Sequence, residues 1–227
     1  MKLDDDDRSN VEDRRGSFAR GAGVKLGLGG TVVLLVLSVV FKQDMFALLG
    51  DPELSASTQA SPQQVAERQA SEVDLERTAV SSFNDAQRVW GRAVDRYRPA
   101  RLVLFWDATR SGCGDAAAEM GPFYCPADQR VYIDLGFYRE LAARFGAPGE
   151  FAQAYVIAHE VGHHLQAVLG IEPEVRAAQR RDPSRRNALS VLMELQADCL
   201  AGVWGKSAHE RDLLDPGDLE QGLAAAA

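Results

Sequence analysis

Three of the four histidines in this chain fall inside one short run, His159-Glu160-Val161-Gly162-His163-His164. The surrounding stretch from Glu150 to Leu169 reads as a helix, with Pro148 suited to its start and Gly170 to the position just past its end. Positions i and i+4 lie about 40° apart around a helix, so His159 and His163 share a face and can bind one metal ion. Glu160 is rotated by about 100° from His159, which puts it beside such an ion rather than on it, in reach of a water to polarise. Neutral imidazoles with oxygen ligands suit zinc. A helix flanked by Tyr155, Ala158 and Leu165 is an expensive place for this run unless something ligates it. His164, about 140° from His159, is expected on the surface or supporting its neighbours rather than as a ligand.

A catalytic zinc needs a third protein ligand and an open fourth position. One common pattern puts glycine at 166 and histidine at 169, but this chain has Gln166 and Leu169. The other common solution is a glutamate on a following helix. A helix predicted from about Pro183 to Trp204, capped by Asp182, carries Glu194 and Asp198 at i and i+4. Its remaining positions include Leu189, Val191, Leu192, Leu195, Leu200, Val203 and Trp204. Two carboxylates on so apolar a helix are expected to be engaged, Glu194 by the metal and Asp198 by the second N–H of His159.

Around this core the chain divides by composition. Residues 1–25 are polar and are expected to form a disordered leader on the cytoplasmic side. Leu26 to Phe41 carries no charge and is expected to be a transmembrane helix. Its length of about 24 Å is short of a hydrocarbon core, but Lys25, Lys42 and the apolar Met45–Leu49 extend the reach. Lys2, Arg8, Arg14, Arg15, Arg20 and Lys25 precede the run and only Lys42 closely follows it, so the expected topology is a cytoplasmic N-terminus with everything after about residue 45 exported. Residues 42–61 read as a linker and 62–227 as the catalytic domain, which is expected to continue past Ala227 because a helix opening at Asp215-Pro216-Gly217-Asp218 is cut short. Ser61-Pro62-Gln63-Gln64 reads as a capping box, opening a helical stripe that ends before Pro99. RLVLFWD (101–107) and QRVYIDL (129–135) are strand candidates. The net charge of −8 argues against a nucleic-acid partner.

Cys113 and Cys125 bracket a Gly- and Ala-rich loop, and in an exported domain the pair is expected to form a disulfide. Cys199 is expected to be a buried free thiol or paired with a cysteine further along the chain. Arg176, Arg180, Arg181, Arg185 and Arg186 read as a solvated loop between the two ligand helices. For an oxyanion donor, Tyr155 is the nearest candidate, although its position favours packing; His209, in a polar stretch, is a weaker one.

The segments HEVGHHLQ (159–166), ELQADCLAGVW (194–204) and GPFYCPADQRVYIDLGFY (121–138), following one apolar N-terminal segment, resemble the bacterial neutral zinc metallopeptidase family, the YpfJ-like proteins, over roughly residues 8–223. The resemblance implies an α+β, zincin-like metallopeptidase domain, mostly helical with a small β-sheet and preceded by one transmembrane helix. It implies zinc as cofactor, peptides or proteins as substrate, and a membrane-anchored extracytoplasmic location. His159 and His163 match the family's histidine ligands, Glu160 its catalytic glutamate and Glu194 its third ligand; Asp198 matches the aspartate of the gluzincin arrangement. A reading from another class competes: a membrane-anchored binding or assembly factor with a structural or vestigial zinc site. Glu160 separates the two, since a purely structural site has no use for it and favours a fourth protein ligand.

Overall fold

The computed structural model describes residues 1–16, 61–145 and 149–220, which form a helix-rich α+β domain. The run Leu26–Phe41 and residues 42–60 of the linker lie outside the described residues; among those described, no helix is long and apolar enough to cross a membrane.

Ser61 caps the first helix as its spelling predicts. Its hydroxyl accepts from the Gln64 N–H at 3.2 Å, the Gln64 side chain accepts from the Ser61 N–H at 2.7 Å, and Pro62 occupies the first turn. The helical stripe is two helices rather than one, α1 (Pro62–Ser71) and α2 (Val73–Ala93), broken at Glu72. The break has a cause in the core: the Glu72 carboxylate is fully buried and accepts from the Trp106 indole at 2.8 Å. Past the break, α2 buries Ala79, Val80, Phe83, Ala86 and Trp90 at helical spacing.

The central sheet has the order β1-β2-β6-β5, from Val11–Asp13, Arg101–Phe105, Arg130–Asp134 and Phe123–Cys125. β1, β2 and β6 run parallel, and β5 is an antiparallel edge strand. β2 is buried on both faces from Leu102 to Phe105, which explains its continuous apolar run. A hairpin of β3 (Ala108–Ser111) and β4 (Gly114–Ala117) projects beside the sheet. The Cys113–Cys125 disulfide, with Cα atoms 5.8 Å apart, ties its tip to the end of β5.

The leader expectation fails for residues 1–16. Val11, Glu12 and Asp13 pair in parallel register with Leu102, Val103 and Leu104, and Met1, Leu3 and Val11 pack on the main core. Main-chain pairing needs no apolar side chains, so a strand of three residues leaves no hydrophobic signature in a charged stretch.

The remaining elements are helical: α3 (Gly136–Phe145), α4 (Glu150–Val168), α5 (Ile171–Arg181) and α6 (Arg186–Glu210). Helix α4 ends where expected, with Gly170 in the left-handed conformation at φ 77°. Helix α5 replaces the expected basic loop. Pro173 sits in its first turn, where its missing N–H breaks no bond, and Arg176, Arg180 and Arg181 lie on it. Asp182 caps a short 3-10 turn (Pro183–Arg185) leading into α6, which runs further than expected, to Glu210. Of the helix expected after Asp215, only 218–220 is described. Helix α4 is the hub, packed against α2, α6 and the sheet. It crosses α6 closely at Gly162, where an added Cβ would lie 3.0 Å from the Ala197 carbonyl oxygen.

Candidate metal centre

The crossing of α4 and α6 sets the candidate site. One turn before Gly162 along α4 stands His159, immediately after it His163; across the crossing α6 presents Glu194 and Asp198. The His159 and His163 Nε2 atoms lie 3.1 Å apart, and each is 3.3 Å from Glu194 Oε2. These three residues are the group among the described residues whose donor atoms could hold a metal ion. A tetrahedral zinc with bonds of about 2.0–2.1 Å requires ligand atoms separated by roughly 3.3 Å, which this triangle matches.

The opposite side of each imidazole strengthens the fit. His159 Nδ1 lies 2.8 Å from Asp198 Oδ1, and a carboxylate oxygen accepts, so Nδ1 carries the hydrogen. His163 Nδ1 lies 2.9 Å from Gln166 Oε1, again an acceptor. Both Nε2 atoms therefore turn lone pairs toward each other and toward a carboxylate. Three electron-rich atoms at this spacing repel one another without a cation between them, and the residues present fit zinc.

Glu160 is buried beside the triangle and belongs to the wall of the same cleft. Burial pushes its carboxyl up to about 7, with the charge of Glu194 adding to the effect; His163 and the Tyr124 backbone N–H, which donates to the carboxylate, act the other way. The cleft has a volume of about 490 Å3 and is lined by Phe123, Tyr124, Arg176 and Met193 as well as the site residues. Glu194 is more than half exposed, so the triangle opens to solvent on its α6 side.

The remaining candidates separate cleanly. His164 is fully buried, not on the surface: its Nε2–H donates to the Arg98 carbonyl at 2.6 Å and its Nδ1 accepts from the Tyr124 hydroxyl at 3.0 Å. It is a strut from α4 to β5, and burial lowers its basicity. Tyr155 donates to Asp198 Oδ1 at 2.9 Å and so supports the aspartate that orients His159. His209 is exposed in the last turn of α6 and does not line the cleft. Cys199 is a free thiol and is exposed, because α6 turns that face outward. Arg176 lines the cleft and pairs with Glu172 one turn back on α5. Sequence reasoning missed Gln166 and the Tyr124 N–H. The first stood three residues after His163 on the same helix, where spacing could have found it; the second is a backbone group with no sequence signal.

Comparison with known proteins agrees with this geometry. The family model described as "Putative neutral zinc metallopeptidase" matches residues 2–227. The chain is 43% identical over 231 residues to a protein of Escherichia coli K12 named "Uncharacterized protein YpfJ", covering 96% of this chain and 78% of that one. It is 38% identical over 159 residues to "Uncharacterized protein Rv2575" of Mycobacterium tuberculosis H37Rv, covering 65% of this chain and 53% of that protein. No solved structure matches.

Proposed function

The chain belongs to the family described as "Putative neutral zinc metallopeptidase", and from that premise we propose that it is a zinc-dependent, zincin-like peptidase of the gluzincin type, hydrolysing peptide bonds in the cleft between β5, α4 and α6. The observation that carries the proposal is the triangle of His159 Nε2, His163 Nε2 and Glu194 Oε2 with the buried carboxylate of Glu160 beside it.

His159, His163 and Glu194 would hold the ion, and Asp198 and Gln166 keep the two imidazoles turned toward it. Zinc bound there supplies Lewis acidity, polarising a scissile carbonyl and making water a better nucleophile near neutral pH. Glu160 takes the proton from the attacking water as its oxygen bonds to the carbonyl carbon. When the C–N bond breaks, the same carboxyl delivers that proton to the leaving amine. Holding such a carboxylate costs burial energy that a structural site would not require, which weighs against the non-catalytic alternative. The Tyr124 N–H fixes its orientation from the strand side.

The domain is proposed to lie outside the cytoplasm, a location supported by the Cys113–Cys125 disulfide, with the uncharged run Leu26–Phe41 as its membrane attachment. The test pairs metal analysis of the purified protein with digestion of a mixed peptide library, for wild type and Glu160→Gln. Stoichiometric zinc in both, with cleavage by wild type alone, is the expected result. Zinc in both with cleavage by neither would overturn the peptidase reading in favour of a binding protein.

A further inference from the structure

We infer that Gln166 is a positioning residue that locks the tautomer of His163 and fastens it to the helix carrying Glu194; the inference deepens the zinc-peptidase reading and rests on it. Gln166 is completely buried at the base of the cleft. Its amide nitrogen donates to the Met193 main-chain carbonyl at 2.8 Å and to Gln196 Oε1 at 3.0 Å, and its Oε1 faces His163 Nδ1 at 2.9 Å.

The direction of this amide is not a free choice. A main-chain carbonyl only accepts, so the amide nitrogen must face Met193. That leaves Oε1 on the His163 side, and an amide oxygen also only accepts. Nδ1 must then carry the hydrogen, and Nε2 presents its lone pair to His159 and Glu194. The order runs from a backbone group of α6, through one buried side chain, to the metal-facing nitrogen of a residue on α4. Met193 immediately precedes Glu194, so the same amide also sets the height of the third ligand relative to the histidines. No water competes for these bonds, because the side chain has no exposed surface.

The two ligand histidines are consequently held by different chemistry. His159 donates to a carboxylate that a tyrosine supports, His163 to a neutral amide anchored on backbone. Removing the amide frees the His163 ring to flip and its hydrogen to move to Nε2, the nitrogen that must stay bare for the metal.

Two substitutions separate the two halves of the role. Gln166→Leu keeps a side chain of similar reach and loses both the acceptor and the donor. Gln166→Glu keeps an acceptor for His163 but sets oxygen against the Met193 carbonyl. Zinc affinity is measured on full-length protein by competition with a chelator, and the His163 tautomer by nitrogen-15 shifts of the metal-free form. For Gln166→Leu, zinc affinity is expected to fall by about 10–100-fold, with Nε2-protonated His163 appearing. For Gln166→Glu, the Nδ1–H tautomer is expected to persist with zinc affinity within tenfold of wild type, and thermal stability is expected to fall because the clamp to α6 is lost. Wild-type affinity and tautomer in Gln166→Leu would overturn the inference. Should that variant not fold, loss of the Nδ1–H tautomer or a tenfold weaker zinc affinity in Gln166→Glu overturns it instead. Neither readout uses turnover: a wild type with a locked tautomer and tight zinc that cleaves nothing sinks the peptidase reading alone.

Discussion

Replacing Gly162 with alanine should damage the metal centre without touching a ligand. An alanine Cβ there would lie 3.0 Å from the Ala197 carbonyl oxygen, 3.2 Å from its Cα and 3.4 Å from Leu200 Cβ. Comfortable contact begins at about 3.5 Å, so α6 must retreat by roughly 0.5 Å at this point. Glu194 sits one turn before Ala197 on the same rigid helix and retreats with it. Its Oε2, now 3.3 Å from each histidine Nε2, would move to a spacing that stretches the zinc bonds beyond their tolerance of about 0.2 Å. Two opposing terms set the stability of the metal-free fold. Overpacking costs about 1–3 kcal/mol; exchanging glycine for alanine inside a helix returns about 0.8–1.0 kcal/mol. The net is a loss between zero and about 2 kcal/mol, with zinc affinity reduced by about tenfold or more, the equivalent of ~1.4 kcal/mol.

Gly202→Ala supplies the control. It lies on the same α6, exposed, with nothing within 4 Å of an added Cβ. It should gain about 0.8–1.0 kcal/mol from helix propensity and leave zinc binding unchanged. Denaturant unfolding of the metal-free proteins and chelator competition for zinc measure both quantities. If Gly162→Ala gains as much stability as Gly202→Ala and binds zinc like wild type, the close crossing does not hold the ligands together and the reasoning fails.

Asp198→Ala should weaken zinc binding by about 10–100-fold without abolishing it, because His159 loses the acceptor of its Nδ1–H while all three ligands remain; chelator competition measures it. Replacing both Cys113 and Cys125 with serine should cost about 3 kcal/mol in denaturant unfolding under oxidising conditions, and nothing further once wild type is reduced. Cysteines placed singly at Ser9 and Ser61, in a background without Cys199, should react with a membrane-impermeant thiol reagent on the same side of the cell membrane; labelling on opposite sides would refute the β1 pairing.

The parts of this molecule that were legible in the sequence are those whose signal is local and repeated. The Ser61–Gln64 box, Gly170, the continuous apolar run of β2 and the Val-Tyr-Ile centre of β6 each declare themselves within a few residues. The meeting of His159, His163 and Glu194 was legible for a related reason: helical spacing fixes which side chains share a face, and buried charge on an apolar helix needs a partner. What escaped depended on the third dimension. The break at Glu72 answers to Trp106, far along the chain. Helix α5 was hidden by a proline and three arginines whose composition imitates a loop. His164 could be read as a surface or a supporting residue, because nothing nearby in sequence announces the Arg98 carbonyl and the Tyr124 hydroxyl that satisfy it.

The N-terminal segment shows how far such a miss reaches. Its hold on the domain is not a matter of three ladder residues alone. Arg15, nearly free of solvent, donates to Asp13 at 2.7 and 2.9 Å and reaches Glu72 at 3.5 Å, while its guanidinium lies over Trp106. The buried Glu72 carboxylate also has Arg68 and Arg139 at 3.5 Å, so Arg15 is one of three arginines gathered on it. Gly16 then lies directly against Val65 of α1; an added Cβ there would stand 2.8 Å from the Val65 Cγ1. Gly16 and the start of α1, the described residues on either side of 17–60, therefore lie side by side. A lipid bilayer cannot pass between a strand and the partner that pairs with it, because the unpaired N–H and C=O groups would have to be left in hydrocarbon. The β1–β2 register thus keeps residues 11–13 on the same side of any bilayer as β2. In the proposed location outside the cytoplasm, the strand paired to the domain lies on the oxidising side with it. If the domain lies outside the cytoplasm as proposed, the pairing of β1 and the burial of Arg15 against Glu72 have to outweigh the charge bias of residues 1–25, which taken alone would keep them in the cytoplasm.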